Sequence, residues 1–209
     1  APVANLRFDV QEGVLAHVRG ILIRGNTRTK DKVIRREIGL LPGEILDEVQ
    51  AERSRRRLEN LNYFERVRFD EIPDRNDPAQ RDVVYEVEEK NTGQFIVGAG
   101  FSSIDKVVGF SEITQSNFDL FNWPYFHGGG QKLRVSAEAG AKNRNVEVSL
   151  TEPWFLDRRL SLTVDAYRRE ISYDEFDVTR LGGGAGLTVP LLYGRLNFRY
   201  FLEKVTLED

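Results

Sequence analysis

Hydrophobic and polar positions follow two different rhythms along this chain, and the change falls at Glu89-Lys90-Asn91-Thr92-Gly93. Before it, short alternating runs flank two stretches of helical period. Val14 to Arg24 reads as a strand with Val18, Ile21 and Ile23 apolar, and Gly25-Asn26 as a turn. A helix is predicted over Lys30 to Ile38, capped by Thr27 or Thr29, with Val33, Ile34 and Ile38 on one face. Leu41-Pro42-Gly43 breaks it, because proline and glycine both oppose helix continuation. A second helix is predicted over Asp47 to Asn60, where Ala51, Ser54, Leu58 and Leu61 recur at helical spacing. Val67 to Ile72 and Val83 to Val87 then alternate as strands. The order from Val14 is β-α-α-β-β. Asn5 to Val10 is one more alternating run ahead of it.

After Gly93 no helix is predicted. Seven alternating segments follow: Gln94–Ser102, Val107–Phe118, Gln131–Ala141, Arg144–Glu152, Leu160–Ile171, Thr179–Val189 and Arg195–Glu203. Most reach the about 9–11 residues that cross a bilayer at a tilt. Apolar positions such as Leu133, Val135 and Ala137 alternate with Lys132, Arg134 and Ser136. Charges on the second face suit a water-filled lumen, and they suit a solvated soluble sheet equally well. Low mean hydropathy does not separate the two, because apolar-out, polar-in strands average out.

Composition narrows the chemistry. Across 209 residues the net charge is -3, so bulk electrostatics give no reason to expect a nucleic-acid partner. Cysteine is absent, which removes disulfides, thiol catalysis and thiolate metal sites. No metal and no cofactor are expected, since His17 and His127 lie far apart without acidic partners at ligand spacing. Gly182-Gly183-Gly184-Ala185-Gly186 lacks the lysine and following helix of a phosphate loop. The acidic pairs Glu88-Glu89 and Asp174-Glu175 read as junction or loop residues with nothing to orient them for acid–base work. An enzyme is not expected. Arg53-Ser54-Arg55-Arg56-Arg57 reads as a solvated helix face or a contact for a partner or lipid headgroups.

Leu22 to Gly93 resembles a POTRA domain. The resemblance rests on Ile23-Arg24-Gly25-Asn26, Arg35-Arg36-Glu37, Pro42-Gly43, Leu58-Glu59-Asn60-Leu61-Asn62-Tyr63-Phe64 and Val83-Val84-Tyr85-Glu86-Val87. The following Glu88 to Gly93 resembles the join between the last POTRA domain and the barrel in the Omp85 family. Glu152-Pro153-Trp154-Phe155-Leu156 resembles a family barrel turn, as do Asn117-Phe118 and Gly128-Gly129-Gly130, here separated by an aromatic insertion, Asp119 to His127.

The resemblance implies an α+β POTRA domain over 14–91, then the first part of an antiparallel transmembrane barrel over 92–209, with 1–13 ending a preceding POTRA domain. Seven strands of an expected total of about sixteen make this chain an internal fragment. It implies a core component of the outer-membrane barrel assembly machinery, in the bacterial outer membrane with the POTRA domain in the periplasm. The partners implied are unfolded outer-membrane protein precursors, accessory lipoproteins and lipid. Client strands would add to the edge formed by Gln94, Phe95, Ile96, Val97, Gly98, Ala99, Gly100, Phe101 and Ser102. Lys90, Asn91, Thr92 and Gly93 would be the hinge, and Gly98 and Gly100 would mark either a pliable seam or barrel curvature. Arg35, Arg36, Glu37 and Glu44 would contact an accessory subunit. One departure stands out: the family's acidic residue before the interhelical glycine is Pro42 here, with Glu44 two residues on. The alternatives are an Omp85-type translocation pore (TamA-like, or a two-partner secretion transporter) and a soluble β-rich binding domain.

Overall fold

A computed structural model describes residues 14–102 and 106–208. The expectation that 1–13 ends a preceding POTRA domain lies outside the described residues. Two compact units emerge. One holds the described residues up to Asn26 together with Ile34–Glu88, and the other holds Thr27–Val33 with the described residues from Glu89 onward.

The first unit contains strand β1 (His17–Arg24), helix α2 (Glu48–Asn60), β2 (Phe64–Pro73) and β3 (Gln80–Glu89), while the short helix α1 (Asp31–Arg35) straddles the division. The strand order is β1-β3-β2, with β1 parallel to β3. The last strand in sequence is therefore the middle one in space. That explains its nearly continuous apolar run: Val83, Val84, Tyr85 and Val87 are all buried. Helix α2 starts where the Asp47 carboxylate accepts the Val49 and Gln50 N–H groups at 2.8 and 3.2 Å. Its buried face is Ala51, Ser54 and Leu58, as the spacing predicts. Ser54 is satisfied there, donating to the Gln50 carbonyl at 2.8 Å and accepting the Gly39 N–H at 3.0 Å. The Tyr85 hydroxyl donates to the Ala51 carbonyl at 3.1 Å, tying helix to sheet.

The arginine run of α2 is largely committed inside the unit. Arg55 pairs with Glu52 and Glu59, Arg56 with Glu52, and Arg57 donates to the Glu37 carbonyl at 2.7 Å. The Arg55 guanidinium holds the Glu52 carboxyl down at about 2.

Helix α1 is shorter than its periodicity predicts. The Glu37 and Ile38 N–H groups bond back three residues, to the Ile34 and Arg35 carbonyls, so the turn tightens and the helix ends. Neither Thr27 nor Thr29 adjoins its first residue, Asp31; the Thr27 hydroxyl donates to the Glu89 carboxylate, and the Thr29 hydroxyl accepts from Asn117 Nδ2. Strand β1 begins at His17 rather than Val14.

The second unit is a seven-stranded antiparallel meander: β4 (Gly93–Ser102), β5 (Lys106–Phe118), β6 (Gln131–Gly140), β7 (Asn143–Glu152), β8 (Ser161–Ser172), β9 (Asp177–Leu191) and β10 (Gly194–Glu208). Pairing register sorts its faces. Across the sheet Phe95, Ile113, Val135, Val148, Ala166, Gly183 and Leu202 stand in one row. The adjacent row is Gln115, Leu133, Leu150, Val164, Ala185 and Tyr200. Neither row carries a charge. The opposite face holds the ion pairs Arg134–Glu112, Arg169–Glu147, Arg180–Glu203 and Arg199–Asp165. Tyr167 donates to Glu203 on that face at 2.6 Å, and Thr151 and Thr163 hydroxyls meet at 3.1 Å.

The apolar face is uncovered. Phe95, Val97, Val146, Val164, Phe198, Tyr200 and Leu202 are all exposed, and among the described residues no helix is long and apolar enough to cross a membrane. A broad apolar face with no protein over it, backed by an ion-paired polar face, is the arrangement of lipid outside and water inside.

Candidate functional site at the head of the sheet

Strand β4 is the edge of the meander and pairs with β5 alone among the described residues. Phe95, Val97, Ala99 and Phe101 share the apolar face, and Gln94, Ile96, Gly98 and Gly100 the other. Ile96, the break in the alternation, therefore stands opposite Glu112 on the polar face. The two glycines are not equivalent. Gly98 sits opposite Phe110, whose ring lies across it, so a β-carbon there would collide with the ring. A β-carbon on Gly100 would meet nothing within 4 Å.

Below β4, the Asn91 side chain accepts the Gly93 N–H at 3.1 Å. The Thr92 carbonyl accepts the Ser116 N–H at 3.1 Å, and its hydroxyl donates to Gln115 at 3.3 Å. Thr92 and Gly93 are thus already zipped onto β5.

The base of the strand is a knot of polar groups that sequence reasoning missed. Glu89, expected in a junction with nothing to orient it, closes β3 and is gripped by backbone and hydroxyl donors of the Thr27–Thr29 loop. Its carboxylate accepts the Thr27 N–H at 3.1 Å, the Thr27 hydroxyl at 2.8 Å, the Arg28 N–H at 2.9 Å and the Thr29 N–H at 2.6 Å. Burial pushes the Glu89 carboxyl up, but these bonds outweigh it and hold it below the ordinary value. The Thr29 hydroxyl in turn accepts from Asn117 Nδ2 at 2.9 Å. Asn117, buried at the end of β5, also accepts the Gly130 N–H on its side-chain oxygen and the Gly128 N–H on its carbonyl, at 2.9 and 2.8 Å. The Lys30 N–H donates to the Gly128 carbonyl at 2.9 Å, and its ammonium meets buried Asp119 at 2.5 Å. Gly128 has φ of 98°, and any β-carbon there would strike the Arg28 carbonyl. The Thr27–Lys30 loop is therefore bolted both to the end of β3 and to the β5–β6 connection. Threonine, asparagine and glycine at these points were visible as turn formers. Pairings across 60 to 88 positions of chain leave no local pattern.

The residues expected to meet an accessory subunit are placed less simply. Arg35 is exposed at the end of α1 and Nη1 donates to the Ile21 carbonyl at 3.4 Å. Arg36 and Glu37 are half-buried in the following turn. The exposed Glu44 carboxylate accepts the Leu41 N–H at 3.1 Å, while its carbonyl accepts the Val18 N–H at 2.9 Å. Around it Leu41, Ile45 and Val49 are exposed, which periodicity did not single out. Among the described residues no group of three histidine or acidic side chains could hold a metal ion.

Comparison with known proteins now adds its weight. Residues 16–90 match the POTRA model, described as a surface antigen variable number repeat, and residues 126–209 match the Omp85 superfamily domain. The chain thus carries a POTRA domain and an Omp85 superfamily domain. It is 29% identical over 207 residues to the outer membrane protein assembly factor BamA of Neisseria meningitidis, covering 95% of this chain and 25% of that one. It resembles the crystal structure of BamA from Haemophilus ducreyi lacking POTRA domains 1-3, at 26% identity and a TM-score of 0.76, over 91% of this chain and 36% of that one. CdiB from Escherichia coli, at 14% identity and a TM-score of 0.62 over 94% of this chain and 38% of that one, shares the fold alone. The chain spans about a quarter of the length of the curated relatives it matches. The α+β unit is a POTRA domain, and the meander is part of an Omp85 barrel wall.

Proposed function

We propose that this chain belongs to an outer-membrane protein assembly factor and that β4 is the strand on which client barrels are built. The observation that carries the reading is β4 itself. Among the described residues it pairs with β5 alone, and its polar face is thinned by Gly98 and Gly100. In a bilayer each unpaired backbone N–H or C=O costs several kcal/mol. An incoming precursor strand that pairs with Gln94–Ser102 removes that cost, which makes strand addition favourable without covalent chemistry. The sheet lies in the outer membrane with its apolar rows against lipid, and the POTRA domain is periplasmic.

The same reading keeps Lys90–Gly93 as the proposed hinge, with Thr92 hydrogen-bonded to β5 at its barrel end. The clamp around Glu89 and Asn117 sets where β4 starts. The exposed Leu41 and Ile45 beside Glu44, with exposed Val49 at the start of α2, form the surface on which an accessory lipoprotein would dock.

Photocrosslinkers placed at alternate positions from Gln94 to Ser102 in the full-length protein test the reading. Precursors should be captured during assembly at these sites far more than at mid-sheet Val146. Equal capture at both would refute strand addition at β4.

A further inference from the structure

The connection between β5 and β6 carries the aromatic insertion of this chain, and its rings divide into two sets. Phe118 and Phe126 are stacked at 5.7 Å and turned inward, and Trp123 meets Phe126 edge-on at 5.2 Å. The turn is rigid: the Asp119 carboxylate accepts the Phe121 N–H at 3.2 Å, and Asn122 Nδ2 donates to the His127 carbonyl at 2.9 Å. On this frame Phe121, Trp123 and Tyr125 project outward, at 84%, 78% and 70% exposure. Of the loop's four Phe, Trp and Tyr rings, three are left outside.

Position says what covers them. The loop lies at the end of the sheet where β4 begins and β5, β7 and β9 finish. The other turns at that end show the same feature: Leu156 between β7 and β8 is exposed, as are Leu192 and Tyr193 between β9 and β10. Together they border the uncharged rows of the sheet's apolar face. From Leu120 to His127 there is no carboxylate, lysine or arginine. Amphipathic rings at the border of an apolar band, on a tip without charge, match the headgroup zone of a bilayer.

We propose that Phe121, Trp123 and Tyr125 insert into the periplasmic headgroup–acyl boundary, as a rigid interfacial anchor held next to the assembly strand. The inference rests on the sheet being membrane-embedded. Through Asn117 and Gly128, the same loop that touches lipid also holds Thr29 and Lys30. Because the tip is uncharged, its insertion is indifferent to anionic lipid and to salt.

The test uses full-length protein in phosphatidylcholine vesicles brominated at defined acyl-chain depths. The emission lost on Trp123→Phe isolates the Trp123 signal from other tryptophans. That signal should be blue-shifted, quenched most strongly by bromine near the headgroup end, and unchanged by high salt. Val148→Trp in the Trp123→Phe background reports the sheet, and should be quenched by deeper bromine. A Trp123 signal that stays hydrated and unquenched while Trp at 148 is quenched overturns the anchor and leaves the membrane reading intact. No quenching at either position overturns both. Shielding of Trp123 only after a purified accessory or client protein is added would mark a protein dock and overturn the lipid proposal.

Discussion

Tyr85 and Tyr200 both sit in alternating strands, yet Tyr85 is wholly buried and Tyr200 is 66% exposed. The first lies in the POTRA sheet, where α2 closes over the apolar side and gives even the hydroxyl a partner. The second lies in the barrel wall, where the apolar side has no protein over it. Both regions use the same period of two. What differs is the medium that covers the apolar face, protein in one and lipid in the other. The polar sides are alike in kind: ion pairs run from strand to strand in both, Arg19–Asp82 and Arg81–Glu71 in the POTRA sheet and Arg134–Glu112 and Arg169–Glu147 in the barrel wall.

Four experiments would break or sharpen that contrast. Leu58→Ala should cost the POTRA domain about 2–5 kcal/mol, since Leu58 is wholly buried. Local denaturant unfolding in the full protein measures it, and a loss below 1 kcal/mol, a rough lower bound, would mean the domain lacks a tight core of its own. Val148→Arg, on the lipid-facing row, should cost about 2–4 kcal/mol in bilayers. Its neighbour Ser149→Arg points to the other face and should be nearly neutral. Equal costs in a bilayer refolding assay would erase the assignment of faces.

Gly98→Ala must displace the Phe110 ring and should cost about 1–3 kcal/mol. Gly100→Ala has open space and should change stability by no more than about 1 kcal/mol. Thermal unfolding of the two variants separates a packing glycine from a flexible one, and matching effects would return both to simple curvature.

The smallest effect concerns acid. Glu89 is held below the ordinary carboxylate value of 4.5, burial opposing and hydrogen bonds prevailing. A depressed native pKa contributes stability that is fully present above the unfolded value and lost as pH falls through the native one. The Thr27–Thr29 loop should therefore loosen only below about pH 4.5, seen as faster proteolysis or amide exchange there. Glu89→Gln should already be loose at neutral pH and show little further change on acidification. Wild-type protection that is flat through this range would show that the carboxylate is not the clasp.

Much of the fold was legible in the chain. Ala51, Ser54 and Leu58 declare the buried stripe of α2, and Asp47 declares its start. The seven strands were each visible as alternation, since a strand's two faces are written directly into its odd and even residues. The change at Glu89–Gly93 likewise marked the junction between two kinds of sheet.

What local pattern could not decide was partnership at a distance. Nothing near Thr27 or Thr29 distinguishes a helix cap from a loop gripped by Glu89, because the competing acceptor lies about 60 residues away. Nothing near Gly98 shows that a ring rests on it rather than that it bends freely, because that ring belongs to the paired strand. Nothing local to the insertion shows that Phe126 stacks on Phe118 of β5 while Phe121, Trp123 and Tyr125 stay outside. The sequence by itself determined the periods, the start of α2 and the order of elements, since those are set by neighbours along the chain. The tertiary structure decided register, the sorting of the two faces, and the polar clamp beneath β4, since those are set by neighbours in space.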